Sequence, residues 1–70
     1  MIRKHSTTLR GHRTSLSLED VFWEELKAIA ASRKMALAAL IAEIDSARDP
    51  AGNLSSALRI YIFNWLKTAR

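Results

Sequence analysis

The stretch His12-Arg13-Thr14-Ser15-Leu16-Ser17-Leu18-Glu19-Asp20 constrains this chain more than any other. Its period changes part-way along. Side chains alternate across an extended strand, so Thr14, Leu16 and Leu18 share one side while Arg13, Ser15 and Ser17 share the other. Past Asp20, the apolar residues Phe22, Leu26, Ile29 and Ala30 recur at helical spacing. The stretch therefore reads as a short strand over residues 12–18 feeding directly into a helix. A lone strand of that length carries unpaired donors and acceptors along both edges and needs a partner in water. The simplest partner is a second copy of itself.

Bulk properties lead to the same expectation. Seventy residues with 49% apolar content make one small domain. Domains this small lean on disulfides, metals or oligomerisation. The chain has no cysteine, which removes disulfides and thiolate zinc sites. His5 and His12 are the only histidines and lack companion ligands at metal spacing, so neither a metal nor another cofactor is expected. Self-association into a homodimer is what remains. The absence of cysteine suits a cytoplasmic protein. No apolar run follows Arg3 and Lys4, so no signal peptide is expected. The longest apolar run, Ile60 to Phe63, is too short to span a bilayer, and no membrane role is expected.

The net charge of +4 is unevenly placed. Arg3, Lys4, Arg10 and Arg13 supply all of it, with no acid before Glu19, and the remainder of the chain is balanced. A block of like charge on one segment points to an anionic partner, nucleic acid first and anionic membrane second.

Residues 1–11 read as a basic arm or an extra short strand ending at Gly11, and residues 12–70 as the main domain. The first helix is expected from about Glu19 to Arg33. Ser17 and Asp20 form a Ser-x-x-Asp start signal, which favours Ser17 as its cap. Trp23 lies off the apolar stripe, beside a dimer core or over a neighbouring helix, and both aromatics read as buried bulk. A break over Ser32 to Ala36 precedes a second helix, about Ala36 to Ala47, with Leu37, Leu40, Ile41 and Ile44 on one face. Asp49-Pro50-Ala51-Gly52 is the clearest turn, and Asn53 is placed to cap a third helix over 54–67. That helix has one stripe of Leu54, Leu58, Tyr61, Ile62 and Trp65, and a second of Ile60, Phe63 and Leu66. So much apolar girth implies a helix wedged between elements or between chains.

Enzymatic chemistry finds little support. His12, Ser15 and Asp20 make a triad on paper, yet no strained turn presents a nucleophile and no glycine-rich oxyanion loop exists. Two glycines cannot build a phosphate cradle of the Gly-x-x-x-x-Gly-Lys type. For His5 and His12 a surface or phosphate-contacting role is favoured over catalysis. No catalytic residue is assigned.

One strand, a helix, a turn and a second helix over Arg13 to about Ala47 resemble the ribbon-helix-helix family of DNA-binding proteins. The run Ser15-Leu16-Ser17-Leu18-Glu19-Asp20-Val21-Phe22-Trp23-Glu24-Glu25-Leu26-Lys27-Ala28-Ile29-Ala30 carries the resemblance most clearly. Gly11-His12-Arg13-Thr14-Ser15 and Asn53-Leu54-Ser55-Ser56-Ala57-Leu58-Arg59 look like a bacterial subgroup of small members, some bearing a sulfotransferase-like label. The chain offers no pocket for that chemistry. The resemblance implies a mainly α fold with one strand paired across an intertwined homodimer, plus a third C-terminal helix. The paired strands enter the major groove of double-stranded DNA. On that basis Arg13, Ser15 and Ser17 face bases. The amides of Leu37 and Ala38 clasp a phosphate, although Ala36 stands where a Ser or Thr cap is usual and Lys34 where a Gly is usual. Arg3, Lys4, Arg10, His12, Arg33 and Lys34 supply phosphate contacts. The implied role is a small transcriptional regulator. The alternative is a protein-interaction module, adaptor or antitoxin-like, that binds another protein through helix 54–67.

Overall fold

The computed structural model of the chain describes residues 1–9 and 11–68. Two strands lead into three helices: β1 Ile2–Leu9, β2 His12–Glu19, α1 Asp20–Ser32, α2 Leu37–Ala47 and α3 Leu54–Thr68. The strands form an antiparallel hairpin whose register runs from Ile2 opposite Glu19 to Leu9 opposite His12. Gly11 takes φ +82°, a left-handed backbone that costs glycine no Cβ clash. The arm is thus a strand, and the sheet has two strands per chain rather than one. Of the two readings of residues 1–11, arm or extra strand, the strand is the one observed, and the simplest expected partner of β2, a second copy, is joined by one from its own chain. Its own N-terminal residues satisfy one edge, folded back alongside it as β1.

The hairpin's inner face closes the core. Leu16 and Leu18 of β2 and Leu9 of β1 are buried in one cluster with Leu26, Ile29 and Ala30 of α1. Leu40, Ile41 and Ile44 of α2 and Leu58 and Ile62 of α3 complete the same cluster. Fully burying each such side chain contributes about 1.5–3 kcal/mol. Within the chain, both strands and all three helices contribute to this one cluster.

His5 lies on this inner side opposite Leu16 and stacks on Trp23, ring centroids 3.8 Å apart and planes 9° from parallel. The surface reading of His5 is corrected accordingly: strand alternation turns its ring inward. Trp23 covers the hairpin. On α3, Leu58 and Ile62 are buried while Ile60, Phe63 and Leu66 remain exposed. This helix packs on one side only and is not wedged within the chain.

Helix ends follow local chemistry, with one correction. Asn53 Oδ1 accepts the Ser56 amide at 2.7 Å and caps α3 as its position suggested. Ser17 does not cap α1. The strand continues to Glu19, which is the N-cap and makes no side-chain cap bond. Pairing with β1 holds Ser17 extended, and the Asp20 amide donates across the sheet to the Met1 carbonyl at 3.1 Å.

The α1–α2 break has a specific cause. The Met35 amide donates to the Ala30 carbonyl and the Lys34 amide to the Ala31 carbonyl, at 3.0 and 3.1 Å. That is a Schellman ending, and it places Lys34 at φ +57° where glycine is usual. An L-residue in this region costs roughly 1–2 kcal/mol. Lys34→Gly is expected to stabilise the chain by about 1 kcal/mol, seen as a higher urea midpoint with unchanged slope. A lower midpoint would contradict the strained turn.

Candidate nucleic-acid interface

With its inner face on the helices, the hairpin leaves the other face bare. Lys4, Ser6 and Thr8 of β1 and Arg13, Ser15 and Ser17 of β2 are all exposed there. The register sets Lys4 opposite Ser17, Ser6 opposite Ser15 and Thr8 opposite Arg13. The result is two adjacent columns of three polar side chains. Lys4 and Arg13 make no ion pair among the described residues. Glu19 stands at the far end of this face, and its Oε1 accepts a 2.9 Å bond from Arg59 Nε. That bond holds the Glu19 carboxyl below its ordinary range. The free charge on the face is therefore positive.

The free edge of β2 is equally specific. The Asp20 amide points to β1. Amide and carbonyl directions alternate along an antiparallel strand, so Arg13, Ser15 and Ser17 direct theirs away from β1. The Ser17 carbonyl accepts the Ser55 hydroxyl at 2.7 Å, which closes that end of the edge with α3. Ser15 borders a groove that His12, Thr14, Arg48 and Leu54 also line. Among the described residues no strand pairs with this edge.

The remaining sequence-derived positions divide. Arg3 lies on the inner-side register, its Nε 3.3 Å from Asp20 Oδ1. Arg10 is outside the described residues. His12 is exposed beside the connection. Arg33 is committed within the chain: Nη1 and Nη2 bond both Glu43 carboxylate oxygens at 2.6 and 3.1 Å, and Nη1 also donates to the Tyr61 hydroxyl at 3.0 Å. These bonds raise the Arg33 guanidinium above its ordinary pKa and lower that of the Glu43 carboxyl. Lys34 is exposed in the turn. Leu37 and Ala38 open α2 behind Ala36, whose side chain offers no cap, so their amides lack an acceptor within the helix.

The paper triad does not assemble. His12 and Asp20 lie at opposite ends of β2, about 25 Å of extended chain apart. Among the described residues no group of three His, Asp or Glu side chains is placed to hold a metal ion.

Sequence reasoning missed Ser6 and Thr8, although the alternation His5-Ser6-Thr7-Thr8-Leu9 carries the signal. It also missed Ser55 and Arg59, the two α3 residues that fasten β2. No local pattern joins them to partners about forty positions away.

The Glu19–Arg59 and Glu43–Arg33 pairs predict an acid limb of stability. Both carboxyls are lower in the folded chain than when unfolded. Their contribution is complete above the unfolded value of about 4.3 and is lost as pH falls through the folded values. A Glu19→Gln/Glu43→Gln double variant is therefore expected to lose less of its stability than the native chain between about pH 6 and pH 3. Urea titrations at the two pH values measure this, and equal losses would contradict it.

Compared with known proteins, residues 2–66 match a family model described as a ribbon-helix-helix domain. No curated protein and no solved structure matches.

Proposed function

The chain belongs to the ribbon-helix-helix family, generally DNA-binding transcription regulators that act as dimers, and we propose that it binds double-stranded DNA as a homodimer and acts as a small regulator. The observation that carries this is the outward hairpin face: exposed, polar and positively charged, beside an edge with unpaired backbone groups. Two copies joined along that edge make an antiparallel β2–β2 ribbon. The ribbon presents two Arg13, two Ser15 and two Ser17 to the major groove, which is wide enough to admit two strands.

Arg13 is the residue suited to base recognition, since its planar fork can donate two bonds to a guanine edge. Ser15 and Ser17 are short. Their readout is shallow and relies on water and on DNA shape. Lys34 and the α2 amides of Leu37 and Ala38 are the supporting phosphate contacts. Arg33 is a weaker candidate than the sequence implied, because Glu43 already neutralises it. Arg3 is likewise paired, with Asp20. Among the described residues no helix is long and apolar enough to cross a membrane, and we read the protein as cytoplasmic.

A second reading rests on α3. Ile60, Phe63 and Leu66 repeat every three residues and stay exposed, a face that suits a protein partner. Light scattering separates the two. An Ile60→Ser/Phe63→Ser variant that still dimerises and still binds duplex favours the DNA reading.

Lys4 and Arg13 together place four unpaired cations on the face of a dimer. Log affinity for duplex is expected to fall against log salt with a slope of about −4. Arg13→Ala is expected to cost about 1–3 kcal/mol on a preferred duplex and to relax preference among sequences. Anisotropy titrations over a salt series measure both. An affinity indifferent to salt, or an Arg13→Ala variant indistinguishable from native, would overturn the proposal.

A further inference from the structure

The hairpin makes the ribbon wider than the groove it enters. This inference rests on the DNA reading above and goes beyond it. When two chains join along their open β2 edges, β1 of each chain remains on the outside, and the sheet runs β1–β2–β2–β1. Neighbouring strands lie about 4.8 Å apart, so the two outer strands are separated by about 14 Å, measured between backbones. The major groove of B-form DNA is about 12 Å wide. The central β2 pair fits within it and the β1 strands do not. They come to rest over the two rims, where the phosphates run.

The side chains sort in the same way. The inner column, on β2, holds the arginine, whose fork matches a base edge. The outer column, on β1, holds Lys4, Ser6 and Thr8, all exposed. An ammonium on a flexible stem and short hydroxyls are phosphate-binding chemistry, and none of the three carries the rigid planar fork that suits Arg13 to a guanine edge. Cross-strand pairing locks the columns together, Thr8 beside Arg13 and Lys4 beside Ser17. We infer that β1 is a backbone-gripping strand: Lys4, Ser6 and Thr8 of each chain hold the phosphates on both sides of the groove and set the depth to which Arg13 enters.

The test uses the full chain and duplex DNA of random and of selected sequence, by anisotropy across a salt series. A Lys4→Gln/Thr8→Val variant removes the charge and one hydroxyl while keeping strand-compatible, exposed side chains. Its affinity is expected to fall about tenfold or more, alike on every duplex, and its salt slope to shrink by about two, one lysine per chain. Lys4→Arg alone restores the slope. Two results overturn the inference while leaving the DNA reading intact: an unchanged slope and affinity in a protein whose Arg13→Ala variant loses preference, or an altered preference among sequences in the Lys4→Gln/Thr8→Val variant. A native chain that binds no duplex overturns both.

Discussion

The hairpin pairing of β1 with β2 is the constraint on which everything else depends. Alternation ties the two faces of a strand together, so burying Leu9, Leu16 and Leu18 forces Lys4, Arg13, Ser15 and Ser17 outward. A slip of one residue would expose three leucines and bury a lysine and an arginine without partners. Burial of each leucine contributes about 1.5–3 kcal/mol, so the slipped register lies several kcal/mol higher. The polar face is therefore not a separate design feature laid onto the fold. It is the same register seen from the solvent side.

The third helix has a structural role as well as an exposed face. It supplies Leu58 and Ile62 to the core, and it fastens the end of β2 at two points, Ser55 on the Ser17 carbonyl and Arg59 on the Glu19 carboxylate. These fastenings lie where the strand passes into α1. They leave the Arg13 and Ser15 backbone open while the Ser17 end is already satisfied. Any strand added along that edge has its pairing centred toward the Gly11 end of the hairpin. Arg33 plays a similar part at the other end of α1, joining it to α2 through Glu43 and to α3 through Tyr61.

Much of this was legible in the sequence, and the reasons for success and failure are physical. The three helices, the inward side of β2 and the Asn53 cap follow from local periodicity and turn chemistry, which act over a few residues. The family likeness is visible in the strand-to-helix run from Ser15 to Ala30. The sequence leaves the pairing of β1 open, because residues 1–9 are polar and basic between apolar ends, Met1-Ile2 and Leu9, and alternation in such a segment is faint. That ambiguity hid Ser6 and Thr8, and with them the column in which Lys4 stands. Ser17 was misread as a cap because a Ser-x-x-Asp motif is local, whereas the sheet partner that keeps the residue extended lies thirteen positions earlier, at Lys4. Arg33 was read as a free cation because its partners, Glu43 and Tyr61, sit on other helices.

The central claim is that one edge of β2 is closed within the chain and the other is kept for a second copy. Amide hydrogen exchange across a dilution series measures this directly. The Leu16 and Leu18 amides, directed to β1, should be protected at every concentration. Those of Arg13 and Ser15 should exchange freely in the dilute chain and gain protection in step with dimer formation. A dimer in which the Arg13 and Ser15 amides stay unprotected would contradict the account.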